Sequence, residues 1–156
     1  MEKVLGKDEF ELGKAYIREG NYKEAAHYFR KALLYYKDNP NQTPGVLLSG
    51  YGVATALGEK NLKEGILFCK KSLNRKDLAP DYYLNLSDLY LRNRQKKEAY
   101  RVLEEGLKKF KNHPRILVKI KEFGVRKRPP IPLLGRSHPV NKVLGKILRE
   151  PISNKK

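Results

Sequence analysis

The chain has one cysteine, one methionine and no tryptophan. A lone cysteine, Cys69, rules out an intramolecular disulfide and gives no sign of an oxidising compartment. It falls on the apolar stripe of an expected helix, which makes it a small buried hydrophobe rather than a reactive thiol. No run of about 18 apolar residues occurs, so no membrane-spanning helix is expected. The opening MEKVLGKDEFELGK lacks the apolar stretch of a signal peptide. Cytoplasm is the expected location. Catalytic and metal-binding constellations are missing as well. His27, His113 and His138 are scattered, with no acid or cysteine at ligand spacing. Gly50, Gly52 and Gly58 lie inside a helical pattern and no Gly-Lys-Ser/Thr follows them, so they make no phosphate-binding loop. The carboxylates are explained by helix starts and solvated faces. No catalytic residue, metal ligand or cofactor is expected, and the chain is not expected to be an enzyme.

Acids are scarce relative to bases. With 34 Lys and Arg against 17 Asp and Glu, the formal net charge is +17. Such a balance points to an anionic partner, whether acidic protein, nucleic acid or membrane surface, or to a well-solvated lysine-rich surface. A length of 156 residues suits one modest domain with or without a tail, and 40% apolar content supplies a core.

What the chain does have is recurrence. In LGKAYIREGNYKEAAHYFRKAL, Leu12–Glu19 and Tyr22–Tyr36 are expected helices separated by Gly20 and Asn21. Gly20 suits a left-handed helix end, and Asn21 with Glu24 makes a capping-box start. Ala25, Phe29, Ala32, Leu33 and Tyr36 form one apolar stripe. Gly13, Ala25 and Ala32 are small where two helices cross, while Tyr16, Tyr22 and Phe29 fill gaps. The pattern returns at a constant offset of 40: Leu62, Gly65, Cys69, Ser72 and Leu73 follow Tyr22, Ala25, Phe29, Ala32 and Leu33. It returns again 34 residues on, at Ala99, Leu103, Gly106 and Leu107. Asn61 with Glu64 and Gln95 with Glu98 repeat the helix-start signal. The middle unit is degenerate, its first helix (46–57) interrupted by glycine. The excess of six residues falls in the loop 39–45, NPNQTPG. Residues 114–123 make one further helix, capping the last apolar face.

Leu12, Gly13, Tyr16, Gly20, Tyr22, Ala25, Phe29 and Ala32 stand at the spacings of a tetratricopeptide repeat, which this chain therefore resembles. The third unit carries the same resemblance through Tyr83, Leu86, Ser87 and Tyr90, with Ser87 where the family usually has glycine. The fold expected is all-α: a solenoid of about three helical hairpins and a capping helix over residues 1–124, then a basic, Pro-rich extension over 125–156.

The resemblance implies protein–protein interaction: an adaptor that holds a peptide or helix of a partner in the concave groove lined by the first helix of each repeat. Carried over by register, the groove residues are Phe10, Lys14, Ile17 and Arg18 in the first repeat and Leu84, Asp88, Leu91 and Arg92 in the third. Lys7 and Asp81 extend these sets, and Leu47, Gly50, Ala54, Leu57 and Gly58 are the positions in the second. One subclass of the family clamps chaperone C-termini with Lys, Asn and Arg. The corresponding positions here are Phe10, Lys14, Tyr51, Asp81 and Asn85, of which only Lys14 is cationic, so chaperone-tail binding is not expected.

The extension 125–156 holds nine Lys or Arg against one acid, Glu150, and five of the nine prolines. Pro129, Pro130 and Pro132 forbid a helix there, and Asn141 is placed to cap a short one over 141–149. Three readings stand open: a solvated tail, a segment folded back on the repeats, or an anion-binding arm through Arg126, Lys127, Arg128 and Arg136. The last is the alternative function, nucleic-acid or other polyanion binding. No aromatic follows Phe123, which speaks against base stacking by the tail. Self-association through open solenoid ends also stays open.

Overall fold

Apolar residues at helical spacing, punctuated by proline, glycine and asparagine, give seven α-helices and no strand among the described residues, 6–123 and 139–140, of this computed structural model. They are α1 (Lys7–Arg18), α2 (Tyr22–Leu34), α3 (Gly45–Gly58), α4 (Leu62–Ser72), α5 (Pro80–Arg92), α6 (Lys96–Lys109) and α7 (Pro114–Glu122). By its contacts the chain divides into Met1–Phe123 and Gly124–Lys156. The account below concerns the first unit. The expected helix 141–149 and the tail residues Arg126, Lys127, Arg128 and Arg136 lie outside the described residues.

Local sequence sets the helix ends. Pro80 and Pro114 occupy the first turns of α5 and α7, where a missing N–H costs nothing. Helix α1 begins at Lys7, ahead of the expected Leu12, with Asp8 and Glu9 in its first turn facing the positive end of the helix dipole. Of the three helix-start signals, the side-chain bond forms in one. Asn61 accepts from the Glu64 backbone N–H at 3.2 Å and donates to the Glu64 carboxylate at 2.7 Å. Asn21 and Gln95 make no such bond. The turns inside the hairpins share one geometry, with Gly20, Lys60 and Arg94 left-handed at φ 77°, 57° and 58°.

The helices pair as α1/α2, α3/α4 and α5/α6, and α7 packs on α6 and α5. Small residues stand at the crossings. Ala25 and Ala32 are fully buried, and the Phe29 ring fills the space left at Gly13. The glycine-rich α3, weak by propensity, is the most closely packed. A Cβ on Gly52 would come within 2.7 Å of the Gly65 carbonyl oxygen and the Cys69 sulfur. The glycines that weaken α3 in isolation thus let it dock on α4. The core runs from Phe29, Leu47 and Tyr51 through Cys69, Leu86 and Leu89 to Leu84, Leu103 and Ile116.

The long loop between α2 and α3 is structured. Pro40–Gln42 form a 3-10 turn. Arg75 donates to the Asn41 and Pro40 carbonyls, each at 2.9 Å. Asp77 accepts from the Gly45 N–H at 2.9 Å, the Val46 N–H at 3.4 Å and the Tyr82 hydroxyl at 3.1 Å. Pro44 offers α3 no side-chain cap, and Asp77 supplies one from the α4–α5 loop.

Successive first helices touch: α1 on α3, α3 on α5, α5 on α7. Helices α2, α4 and α6 do not touch one another. The layer whose members meet is the inner one, so the array curves with α1, α3, α5 and α7 on its concave side.

Candidate functional site

The groove positions expected by register form i, i+4, i+7, i+8 sets on single helices. On α1 these are Phe10, Lys14, Ile17 and Arg18. Phe10 is half-buried, its ring centroid 6.0 Å from that of Phe29. The Lys14 ammonium lies 5.1 Å from the Phe10 ring and pairs with Glu11 at 2.9 Å. Ile17 packs against the cluster around Ala25 and Phe29, and Arg18 is exposed. On α5 the matching set is Leu84, Asp88, Leu91 and Arg92. Leu84 is only 7% exposed, packed with Leu103 and Ile116 beneath α7. Leu91 packs half-buried on the central cluster, and Arg92 is exposed.

The two sets are not brought into one patch. Between them α3 contributes Leu47 and Ala54, both core residues, with Gly50 half-buried against the Phe29 ring. The register-derived positions 47 and 54 are closed off because the first helices sit directly on one another there.

Helix α7 adds to the face. Its Arg115, Val118 and Glu122 stand 34 residues after Asp81, Leu84 and Asp88. With Leu84 and Asp88 they border an open hollow of about 340 Å³. Val118 is 57% exposed, a large apolar side chain on an otherwise charged surface. Lys119 bridges Asp88 at 2.8 Å and Glu122 at 3.3 Å, and Arg115 pairs with Asp81. The hydrogen bond to Asp88 is the main influence raising the Lys119 pKa above 10.5. The α7 residues were hidden in the sequence because 114–123 serves as a cap. Running the 34-residue period one unit further finds them.

Chemically the face offers cations at the first repeat, charge pairs at the third and apolar patches between. No group of three or more His, Cys, Asp or Glu among the described residues is placed to hold a metal. Cys69 is fully buried, and burial pushes its thiol up to about 12.

Hairpins in series at this spacing have a family. Residues 9–39 and residues 80–108 each match the tetratricopeptide repeat. The chain carries tetratricopeptide repeats. The stretch between the two matches holds α3 and α4, the unit whose glycines depart furthest from the pattern. Among solved structures, the fold is similar to the N-terminal domain of stress-induced protein-1 (STI-1) from C.elegans. The TM-score is 0.56 at 18% identity, over 76% of this chain and 93% of that one. No curated protein matches the chain. Tetratricopeptide arrays generally serve as protein–protein interaction modules, and these repeats give the chain a module of that kind. No helix among the described residues is long and apolar enough to cross a membrane.

Proposed function

We propose that the protein is an adaptor whose concave face holds a peptide or helix of a partner protein. Phe10, Ile17 and Leu91 act as apolar anchors, flanked by Lys14, Arg18, Asp88 and Arg92, while Leu84, packed beneath α7, only borders the hollow beside Val118. The observation that carries the reading is the repeated i, i+4, i+7, i+8 set on α1 and α5, the two first helices that flank α3. Apolar positions alternating with charged ones at helical spacing suit an extended or helical ligand with a few anchors. The exposed Val118 extends this surface onto α7. A non-catalytic role and a cytoplasmic location complete the proposal, the latter supported by the single buried cysteine.

The test is affinity capture from native lysate, with and without nuclease, by the wild type and by the charge reversals Arg18→Glu and Arg92→Glu. Both positions are exposed, so the variants keep the fold. The expected result is a protein partner that survives nuclease and is lost from both variants. Retention by folded variants would refute the groove. The competing reading, polyanion binding through Arg126, Lys127, Arg128 and Arg136, rests on composition. It predicts partners that vanish on digestion and a steep salt dependence removed by deleting 125–156.

A further inference from the structure

The two junctions between successive repeats use equivalent positions and end differently. At the first, Arg30 of α2 donates to the Glu59 carboxylate at 2.7 and 2.9 Å, with its guanidinium 5.7 Å from the Tyr51 ring centroid. Glu59 ends α3, one residue before left-handed Lys60. Asn93 ends α5 the same way, one residue before left-handed Arg94. Lys70 follows the N-cap Asn61 at the distance by which Arg30 follows the N-cap Asn21. The second junction therefore places Lys70, 5.9 Å from the Tyr90 ring, where the first has Arg30. It places an amide where the first has a carboxylate. Among the described residues Lys70 has no ion-pair partner.

The second junction is also open. A Cβ on Gly58 would come within 2.5 Å of the Tyr22 and Lys23 backbone, so α3 ends directly on the start of α2. The residue matching Gly58 is Arg92, and the one matching Ala56 is Tyr90. These side chains are larger, and α5 packs less closely on α4 than α3 does on α2. An open cleft of about 420 Å³ results. Ile66 and Tyr90 form its buried floor. Lys63 and Lys70 stand on one side, Asn93 and Gln95 on the other. Asn93 Nδ2 donates to Gln95 Oε1 at 2.9 Å, which leaves the Gln95 amide N–H groups for a ligand. Glu98, the acid at the rim, is engaged by Arg101 at 3.3 Å.

We propose that this cleft takes an Asp or Glu side chain from an acidic segment of a partner polypeptide. That carboxylate fills at the second junction the place Glu59 fills at the first. Lys70 and Lys63 supply the charge, the two amides supply directional donors, and the Ile66–Tyr90 floor receives the methylenes. The site is separate from the concave groove and does not depend on it.

The test is residue-resolved NMR of the ¹⁵N-labelled full chain titrated with a hexaglutamate peptide, with hexaglutamine as the uncharged counterpart. The backbone amides of Ile66, Asn93 and Gln95 are expected to respond to hexaglutamate alone. Asn93→Glu fills the cleft from within and is expected to weaken that response about tenfold, the scale of one charged hydrogen bond. Gln42→Glu adds the same charge at the opposite end of the helices and is expected to change it by no more than about twofold. A hexaglutamate response absent from the cleft amides would overturn the proposal. So would an equal response to hexaglutamine, or equal weakening by Asn93→Glu and Gln42→Glu.

Discussion

Removing the Asp77 carboxylate uncaps a helix 32 residues earlier in the chain. Helix α3 starts after Pro44, whose side chain accepts no hydrogen bond, and its Gly45 and Val46 N–H groups reach Asp77 instead. The same carboxylate holds the Tyr82 hydroxyl, so one side chain ties the loop before α3 to the start of α5. Loss of a capping carboxylate costs about 0.5–2 kcal/mol. Asp77→Ala also removes a bond to a buried tyrosine, which places the expected loss near the upper end, about 2 kcal/mol. For a unit of this size that lowers the thermal midpoint by about 6–10 °C. Asp77→Asn keeps an acceptor oxygen without the charge and is expected to lose about half as much. The control is Asp38→Ala, an exposed aspartate. Far-UV circular dichroism melts read all three. An Asp77→Ala midpoint equal to that of Asp38→Ala would refute the tertiary cap.

Four further outcomes follow from the packing. Gly52→Ala drives a methyl into the Gly65 carbonyl and is expected to cost about 1–3 kcal/mol, read as a lower urea midpoint; an unchanged midpoint would contradict the close crossing. Arg94→Gly relieves a left-handed residue and is expected to raise stability by about 0.5–1 kcal/mol in the same assay, with a fall counting against it. Cys69, fully buried and with its thiol pushed up to about 12, is expected to react with a colorimetric thiol reagent only after denaturant is added. Prompt reaction of the native protein would refute its burial. Burial, then the Asp77 charge, raises the Tyr82 phenol above its ordinary 10.0. Above pH 10 the unfolded chain loses this proton while the folded chain keeps it, so stability falls as pH rises toward the folded value. Denaturant melts from pH 9 to 11 check this, and Tyr82→Phe is expected to flatten the slope; an unchanged slope would contradict it.

The repeat architecture was legible because it rests on short-range periodicity. Ala25, Phe29 and Ala32 return as Gly65, Cys69 and Ser72 and again as Ala99, Leu103 and Gly106, and all but the last helix of the array follow from that register. Features that join distant segments were not legible. Nothing local marks Arg75 as the residue that pins the Pro40–Gln42 turn, or Asp77 as the cap of α3. By propensity alone α3 is a weak helix, since its glycines count against it until the partner glycine on α4 is in view. The groove positions on α1 and α5 could be placed by register, but the burial of Leu47 and Ala54 follows from helix-on-helix packing that register does not encode. The cleft beside Lys70 depends on a comparison of two junctions, Gly58 with Arg92 and Glu59 with Asn93. Its meaning appears only once both are seen in three dimensions.

The most direct test of the central claim, that partners sit on the inner helix layer, is site-specific photo-crosslinking in native lysate. A benzophenone amino acid is placed at Arg18 or Arg92 on the inner layer and at Leu67 or Arg101 on the outer one, all exposed. The account predicts a protein adduct from Arg18 and Arg92, resistant to nuclease, that the outer positions do not give. The same adduct formed from Leu67 or Arg101, with none from Arg18 and Arg92, would contradict it.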